Sequence, residues 1–187
     1  MDIIATGLPE VLVLIPKRFG DARGWFSETW NAHTMAEAGL DYAFVQDNTS
    51  ATAQAGTLRG LHYQAPPHAQ AKLVRCVAGR ILDVAVDVRV GSPRFGRWTA
   101  QELTAERGEQ MLVPEGFLHG FLTLTPECLV SYKCSDFYAP AADGAVRWDS
   151  FGIDWGTDKA PLLSDKDAAA PAFGAWDSPF VLTGDEA

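Results

Sequence analysis

Leu82-Asp83-Val84-Ala85-Val86-Asp87-Val88 alternates without a break. Leu82, Val84, Val86 and Val88 fall on one face of an extended chain, and Asp83, Ala85 and Asp87 on the other. The β-branched side chains fit a pleated, half-buried surface, so the segment is a strand. In an open sheet its two aspartates would simply be solvated. In a closed barrel or sandwich they point inward, and each then needs a partner.

The same grammar repeats on both sides of this strand. Segments 11–15, 57–64, 72–77, 81–89, 98–103, 110–113, 117–124 and 129–135 are short and mostly apolar, spaced as in a β-sandwich or barrel. Turn signals separate them: Ala78-Gly79, Gly91-Ser92-Pro93, Pro114-Glu115-Gly116 and Thr125-Pro126. One helix is predicted over 33–38, capped by Asn31 and ended by Gly39. The tail from 158 to 187, rich in Ala, Asp and Pro, is expected either to place short helices over the sheets or to be partly loose. No fixed-period repeat and no linker divides the chain. The expectation is one domain over 1–187, an all-β jelly roll with a few short helices.

Composition narrows the function. The 187 residues are 47% hydrophobic and 21% charged, a globular balance. A net charge of −9 lacks the basic footprint of a nucleic-acid binder, yet a local Arg/Lys cluster can still hold a phosphorylated ligand. Three cysteines (Cys76, Cys128, Cys134) without CxxC spacing read as reduced, buried thiols of a cytoplasmic protein. The apolar run at 11–15 is too short for a secretory signal, and no run approaches the ~20 residues of a membrane span.

Four segments carry reactive side chains on otherwise apolar strands. In Arg59-Gly60-Leu61-His62-Tyr63-Gln64, strict alternation groups His62 with Gly60 and Gln64 and sets Arg59 on the opposite face, unless a bulge at the glycine re-aims them. Lys72 opens the next strand. Pro114 to Gly120 is a turn running into a strand that carries His119. The fourth segment runs from Tyr132-Lys133 to Asp136-Phe137-Tyr138.

A metal-binding cupin is one reading of this set. It needs a His-x-His pair, a carboxylate and a third His after a Pro-x-Gly turn. His119 suits the last place, but Gln64 stands where the second histidine belongs. The alternative is acid/base work on an organic ligand beside a carbonyl. There His62 would serve as base, Tyr132 as acid and Lys72 as the group holding an enolate oxygen, with Arg23, Arg59 and His119 available to a diphosphate. Each also has a plainer reading: His62 as a structural histidine, Tyr132 as core, Lys72 and Arg59 as surface charges, and Asp21-Ala22-Arg23-Gly24 as an ordinary turn.

Taken together the segments resemble the dTDP-4-dehydrorhamnose 3,5-epimerase family. The likeness lies in Phe19 to Glu28, Phe44 to Ser50, Leu58 to Gln64, Lys72 to Gly79, Asp83 to Arg89, Pro114 to Phe121, Tyr132-Lys133 and Leu163 to Asp167. It implies a cupin-like jelly roll that epimerises a dTDP-linked 4-keto-6-deoxy sugar at C3 and C5, with no metal and no cofactor. His62 would take the protons with Asp167 orienting it, Tyr132 would return them on the other face, and Lys72 would hold the C4 oxygen. Arg59 and His119 would contact diphosphate or sugar, and Gln46, Asp47 and Asn48 would line the nucleotide end.

Phe19, Arg23, Phe26 and Glu28 would help bind nucleotide across a homodimer, from an N-terminal segment of about 1–50 exchanged between subunits. Tyr138, Asp143 and Lys166 are further binding residues, although Asp143 stands where the family pattern more often has Glu. The tail from about 156 would pack outside. Residue types leave three alternatives open: a relative inverting one centre, a ketoisomerase, and a non-catalytic sugar-nucleotide binding module.

Overall fold

In the computed structural model, which describes residues 1–182, the alternating runs become two facing antiparallel sheets. The first orders β1 (Asp2–Ala5), β2 (Leu12–Ile15), β10 (Gln110–Val113), β7 (Lys72–Ala78), β12 (Cys128–Cys134) and β5 (Gln46–Thr52). The second orders β13 (Asp143–Ala145), β6 (Leu58–Gln64), β11 (Phe117–Thr123), β8 (Arg80–Asp87) and β9 (Trp98–Thr104). A two-stranded ribbon, β3 (Phe19–Asp21) with β4 (Gly24–Phe26), joins neither sheet. With two short helices, α1 (Ala32–Glu37) and α2 (Asp165–Ala168), this is the all-β, cupin-like jelly roll the pattern predicts.

Three apolar layers hold the sheets. Val74, Met111 and Val130 from the first sheet meet Ile81, Ala85, Phe117 and Phe121 from the second in the central layer. Outside the second sheet, Val84, Val86, Leu118 and Leu122 are covered by Val146, Ile153, Trp155 and Phe180 from the C-terminal segment. Outside the first, Leu14, Leu73 and Leu112 lie under Met35 of α1. The helix starts where the sequence places it: the Asn31 side chain accepts from the N–H groups of His33 and Thr34. Burying a Leu-sized side chain is worth about 1.5–3 kcal/mol, so these layers are what the alternation encodes.

The inward aspartates of β8 find their partners. Asp83, fully buried, accepts from His119 at 2.8 Å, and Asp87 is bonded by Arg89 and Ser92. Among the described residues no helix is long and apolar enough to cross a membrane. Of the expected C-terminal tail, residues 183–187 lie outside the described residues.

Candidate active site

A cavity of about 420 Å³ opens between β5, β7 and β12 on one side and β6 and β11 on the other. His62 and Arg59 both line it, which strict alternation forbids. The register explains how: His119 pairs with His62 and Phe121 with Arg59, so Gly60 and Leu61 together oppose the single residue Gly120. This bulge needs both glycines. Gly60 has φ +135°, and a Cβ on it would sit 2.6 Å from the Gly120 Cα; one on Gly120 would sit 2.8 Å from the Arg59 carbonyl oxygen. Leu58 and Leu61 consequently point outward into the C-terminal layer while Arg59 and His62 point inward.

His62 Nε2 lies 2.5 Å from Asp167 Oδ1. Asp167 comes from α2, whose N-cap is Ser164, so the short helix exists to present this carboxylate. Burial opposes ionisation of Asp167. Bonds from His62, Ser164 and the Gly60 N–H outweigh it and hold the carboxyl below its usual range. An ionised Asp167 fixes the imidazole tautomer and leaves the other ring nitrogen to exchange a proton.

Tyr132 faces the cavity from the opposing sheet. Burial raises its phenol above the usual value, with Cys134 adding to the shift and Arg59 opposing it, so at neutral pH it carries a proton to give. Lys72 sits on the strand beside Tyr132. Burial lowers its ammonium, while Cys134, Asp143 and Asp83 pull it back up. Arg59, Lys72 and Lys166 bring basic side chains to the cavity wall of an acidic protein. Arg59 is anchored through Nε to Thr52 and through a terminal nitrogen to the Ala51 carbonyl, both at 3.3 Å.

The remaining sequence candidates separate into three groups. Lys166 lines the cavity and pairs with Asp143, which also accepts from the Tyr138 hydroxyl at 3.2 Å. Gln46 and Asn48 extend the inward face of β5 beyond the cavity. Gln46 bonds Asn48 and takes the Tyr138 N–H, joining β5 to Tyr138. Asp47, one residue along, faces the other way and pairs with Lys133 at 2.9 Å. Phe19, Arg23 and Phe26 lie on the exposed ribbon and Glu28 just after it, none of them on the cavity wall. Arg23 there turns back to Asp21.

The sequence reading gave no site role to Ser50, Thr57, Phe121 and Leu163, which also line the cavity, and did not make Asp83 the partner of His119. The inward position of Asp83 on β8 was the available signal. Gln64, in the place of a second cupin histidine, spends its amide on the carbonyls of His68 and Phe137 and on the Ala139 N–H. Among the described residues no cluster of three or more His, Cys, Asp or Glu is arranged to hold a metal ion.

A base held by a carboxylate, a protonated phenol on the facing sheet and the cations Arg59, Lys72 and Lys166 on the cavity wall suit proton transfer beside a carbonyl of an anionic ligand. Known proteins point the same way. Residues 5–175 match the family model described as dTDP-4-dehydrorhamnose 3,5-epimerase. The chain is 47% identical to the enzyme of that name from Salmonella typhimurium, over 91% of this chain and 94% of the relative. It is similar to the crystal structure of a dTDP-6-deoxy-D-glucose-3,5-epimerase from Legionella pneumophila in complex with dTDP-4-keto-L-rhamnose, with TM-score 0.90, 42% identity and 94% of each chain covered. A Bacillus anthracis dTDP-4-dehydrorhamnose 3,5-epimerase with TDP and pyrophosphate bound superposes with TM-score 0.89 at 42% identity, over 92% of this chain and 99% of that one.

Proposed function

The chain belongs to the dTDP-4-dehydrorhamnose 3,5-epimerase family, and from that premise we propose how its residues divide the work. It is an isomerase that converts dTDP-4-dehydro-6-deoxy-D-glucose to dTDP-4-dehydro-L-rhamnose by inverting C3 and C5. Both carbons flank the C4 ketone, so the same carbonyl acidifies both protons, and each abstraction forms its own enolate. His62 removes the proton from carbon, and the bonding pair moves onto the C4 oxygen, where Lys72 meets the developing charge. Tyr132 then protonates the same carbon from the opposite face. The placement of His62 and Tyr132 on facing sheets across one cavity carries this reading. Asp167 stabilises the imidazolium formed at each abstraction.

Arg59, His119 and Lys166 bind the diphosphate or the sugar, and Gln46, Asn48, Tyr138 and Asp143 form the nucleotide end. Asp47 contributes to that end through its pair with Lys133 rather than by facing the ligand. The single domain works as a homodimer, in which the β3–β4 ribbon, within the first 50 residues, lends Phe19, Arg23 and Phe26 to the partner's site, together with Glu28. Support comes from Phe19 at 62%, Trp25 at 60% and Phe26 at 68% exposure on a ribbon that pairs with neither sheet. A two-stranded ribbon alone in water is marginal, and a partner surface would cover these rings. The three free, buried cysteines support the cytoplasm as its compartment.

The test is incubation with dTDP-4-keto-6-deoxy-D-glucose in deuterated water, followed by NMR and mass spectrometry. Each inverted carbon receives its new proton from a solvent-exchanged group, so deuterium is expected at both C3 and C5. Label at one carbon alone would make the chain a mono-epimerase. No label from a folded sample, with the nucleotide sugar still bound, would leave a binding module.

A further inference from the structure

The β3–β4 ribbon is tethered at its base, and the tether is specific. Arg18, the residue before β3, donates through one terminal nitrogen to the Ala105 carbonyl at 2.8 Å and through the other to the Glu106 carbonyl. Those carbonyls belong to the turn between β9 and β10, the point where the chain passes from the second sheet to the first. The Arg18 guanidinium also lies 3.9 Å from the centre of the Trp25 ring on β4. One side chain thus bonds the body of the domain on one side and stacks on the ribbon on the other.

The turn is shaped to receive it. Gly108 has φ +74°, and a Cβ there would sit 2.6 Å from an Arg18 terminal nitrogen. Two lesser ties share the region: the Ser27 hydroxyl donates to the Lys17 carbonyl, closing the ribbon's base, and the Gln110 amide donates to the Thr29 carbonyl. Trp25 pairs with Gly20 across the ribbon, which leaves Phe19 and Phe26, paired with each other, on the opposite face. The face carrying Trp25 is therefore fixed to its own domain, and the face carrying Phe19 and Phe26 is turned outward.

We infer that Arg18 and Trp25 form a clasp that sets the direction of the ribbon, so that its tip meets the partner's nucleotide site already ordered. The inference rests on the reading that the ribbon serves the partner's site. Neither residue touches substrate; both are positioning residues. Their contribution is to remove the ordering cost that a loose ribbon would pay at each binding event.

The experiment uses the full-length protein, with calorimetric binding of dTDP, steady-state kinetics and a sizing column with light scattering. Arg18→Met is expected to weaken dTDP binding about fivefold to tenfold and raise KM by a similar factor. The value of kcat should stay within about twofold, because no reacting group has moved. Trp25→Leu should behave alike and Trp25→Phe should retain most of the affinity. The double variant Arg18→Met/Trp25→Leu should be little worse than Arg18→Met alone, since that change already removes the contact with Trp25. If Arg18→Met unfolds the chain, Arg18→Lys and Trp25→Leu carry the same comparison.

Arg23→Ala at the tip separates this inference from its premise. If Arg23→Ala weakens dTDP binding while folded Arg18→Met and Trp25→Leu leave it unchanged, the clasp is overturned and the ribbon's role stands. If Arg23→Ala also changes nothing, the ribbon does not serve the site, and the clasp falls with it.

Discussion

Two histidine–carboxylate pairs face each other across β6 and β11, built from the same groups and placed in different surroundings. His62 and Asp167 lie 2.5 Å apart at the cavity wall, with the His62 side chain 31% exposed. His119 and Asp83 lie 2.8 Å apart with both side chains under 9%. Asp167 has three donors, His62, Ser164 and the Gly60 N–H, and it is held below the ordinary 3.8. Asp83 also meets burial first, with His119 and the neighbouring Lys72 against it, and among the described residues its Oδ2 has no hydrogen-bond partner. It is pushed above 3.8. Donor count against desolvation decides the direction, so the same two residue types give one carboxyl held low at the cavity wall and one pushed up in the interior.

The largest expected difference between the pairs is in turnover. His62→Ala should slow deuterium exchange at both carbons by about 10³-fold or more. His119→Ala should lose on the order of tenfold, mainly in KM, because it removes a ligand contact rather than the base. Equal losses in kcat would break the comparison.

Asp167→Asn comes next. It keeps the shape and loses the charge that stabilises the imidazolium, so kcat is expected to fall roughly 10²-fold. Its melting temperature should also respond to pH. A carboxyl held low in the fold contributes stability that is full above the unfolded value and disappears as pH falls through the folded one. The Tm deficit of the variant should therefore be present at neutral pH and close in acid.

Asp83→Asn should have the smallest effect on activity, within about tenfold of the parent. Its Tm trend should run opposite. A carboxyl held high opposes folding once ionised, so the parent is least burdened below 3.8 and loses ground as pH rises through the raised value. Removing the charge should make the variant gain on the parent as pH increases. Parallel pH trends for the two Asn variants would show that the pairs do not differ as described.

Most of the second sheet was legible because its strands bury one apolar face against the tail and the other against the core. β8 carries the period of two in its residue types, while β11 is buried along its whole length and β6 breaks its alternation at the Gly60–Leu61 bulge. The strand β5 was not legible. Gln46-Asp47-Asn48-Thr49-Ser50 has no apolar face, since its inward side extends a polar cavity and its outward side meets water. β1, the ribbon strands and β13 are too short to show a period. Asp47 shows a related limit: it stands between two residues of one motif, and the pleat sends it to the other side, onto Lys133.

The sequence by itself determined the all-β class, the inward aspartates of β8, the Asn31 cap and the candidates His62, Lys72 and Tyr132, because alternation and capping act between near neighbours in the chain. Only the tertiary structure decided that Arg59 and His62 share a face, since that depends on two glycine backbones from different strands touching at Gly60 and Gly120. The contact of Asp167 with His62 across 105 residues was implied by the family resemblance and by nothing in the local pattern. Such a contact is set by where a capped helical turn docks against a distant strand, which no local pattern records.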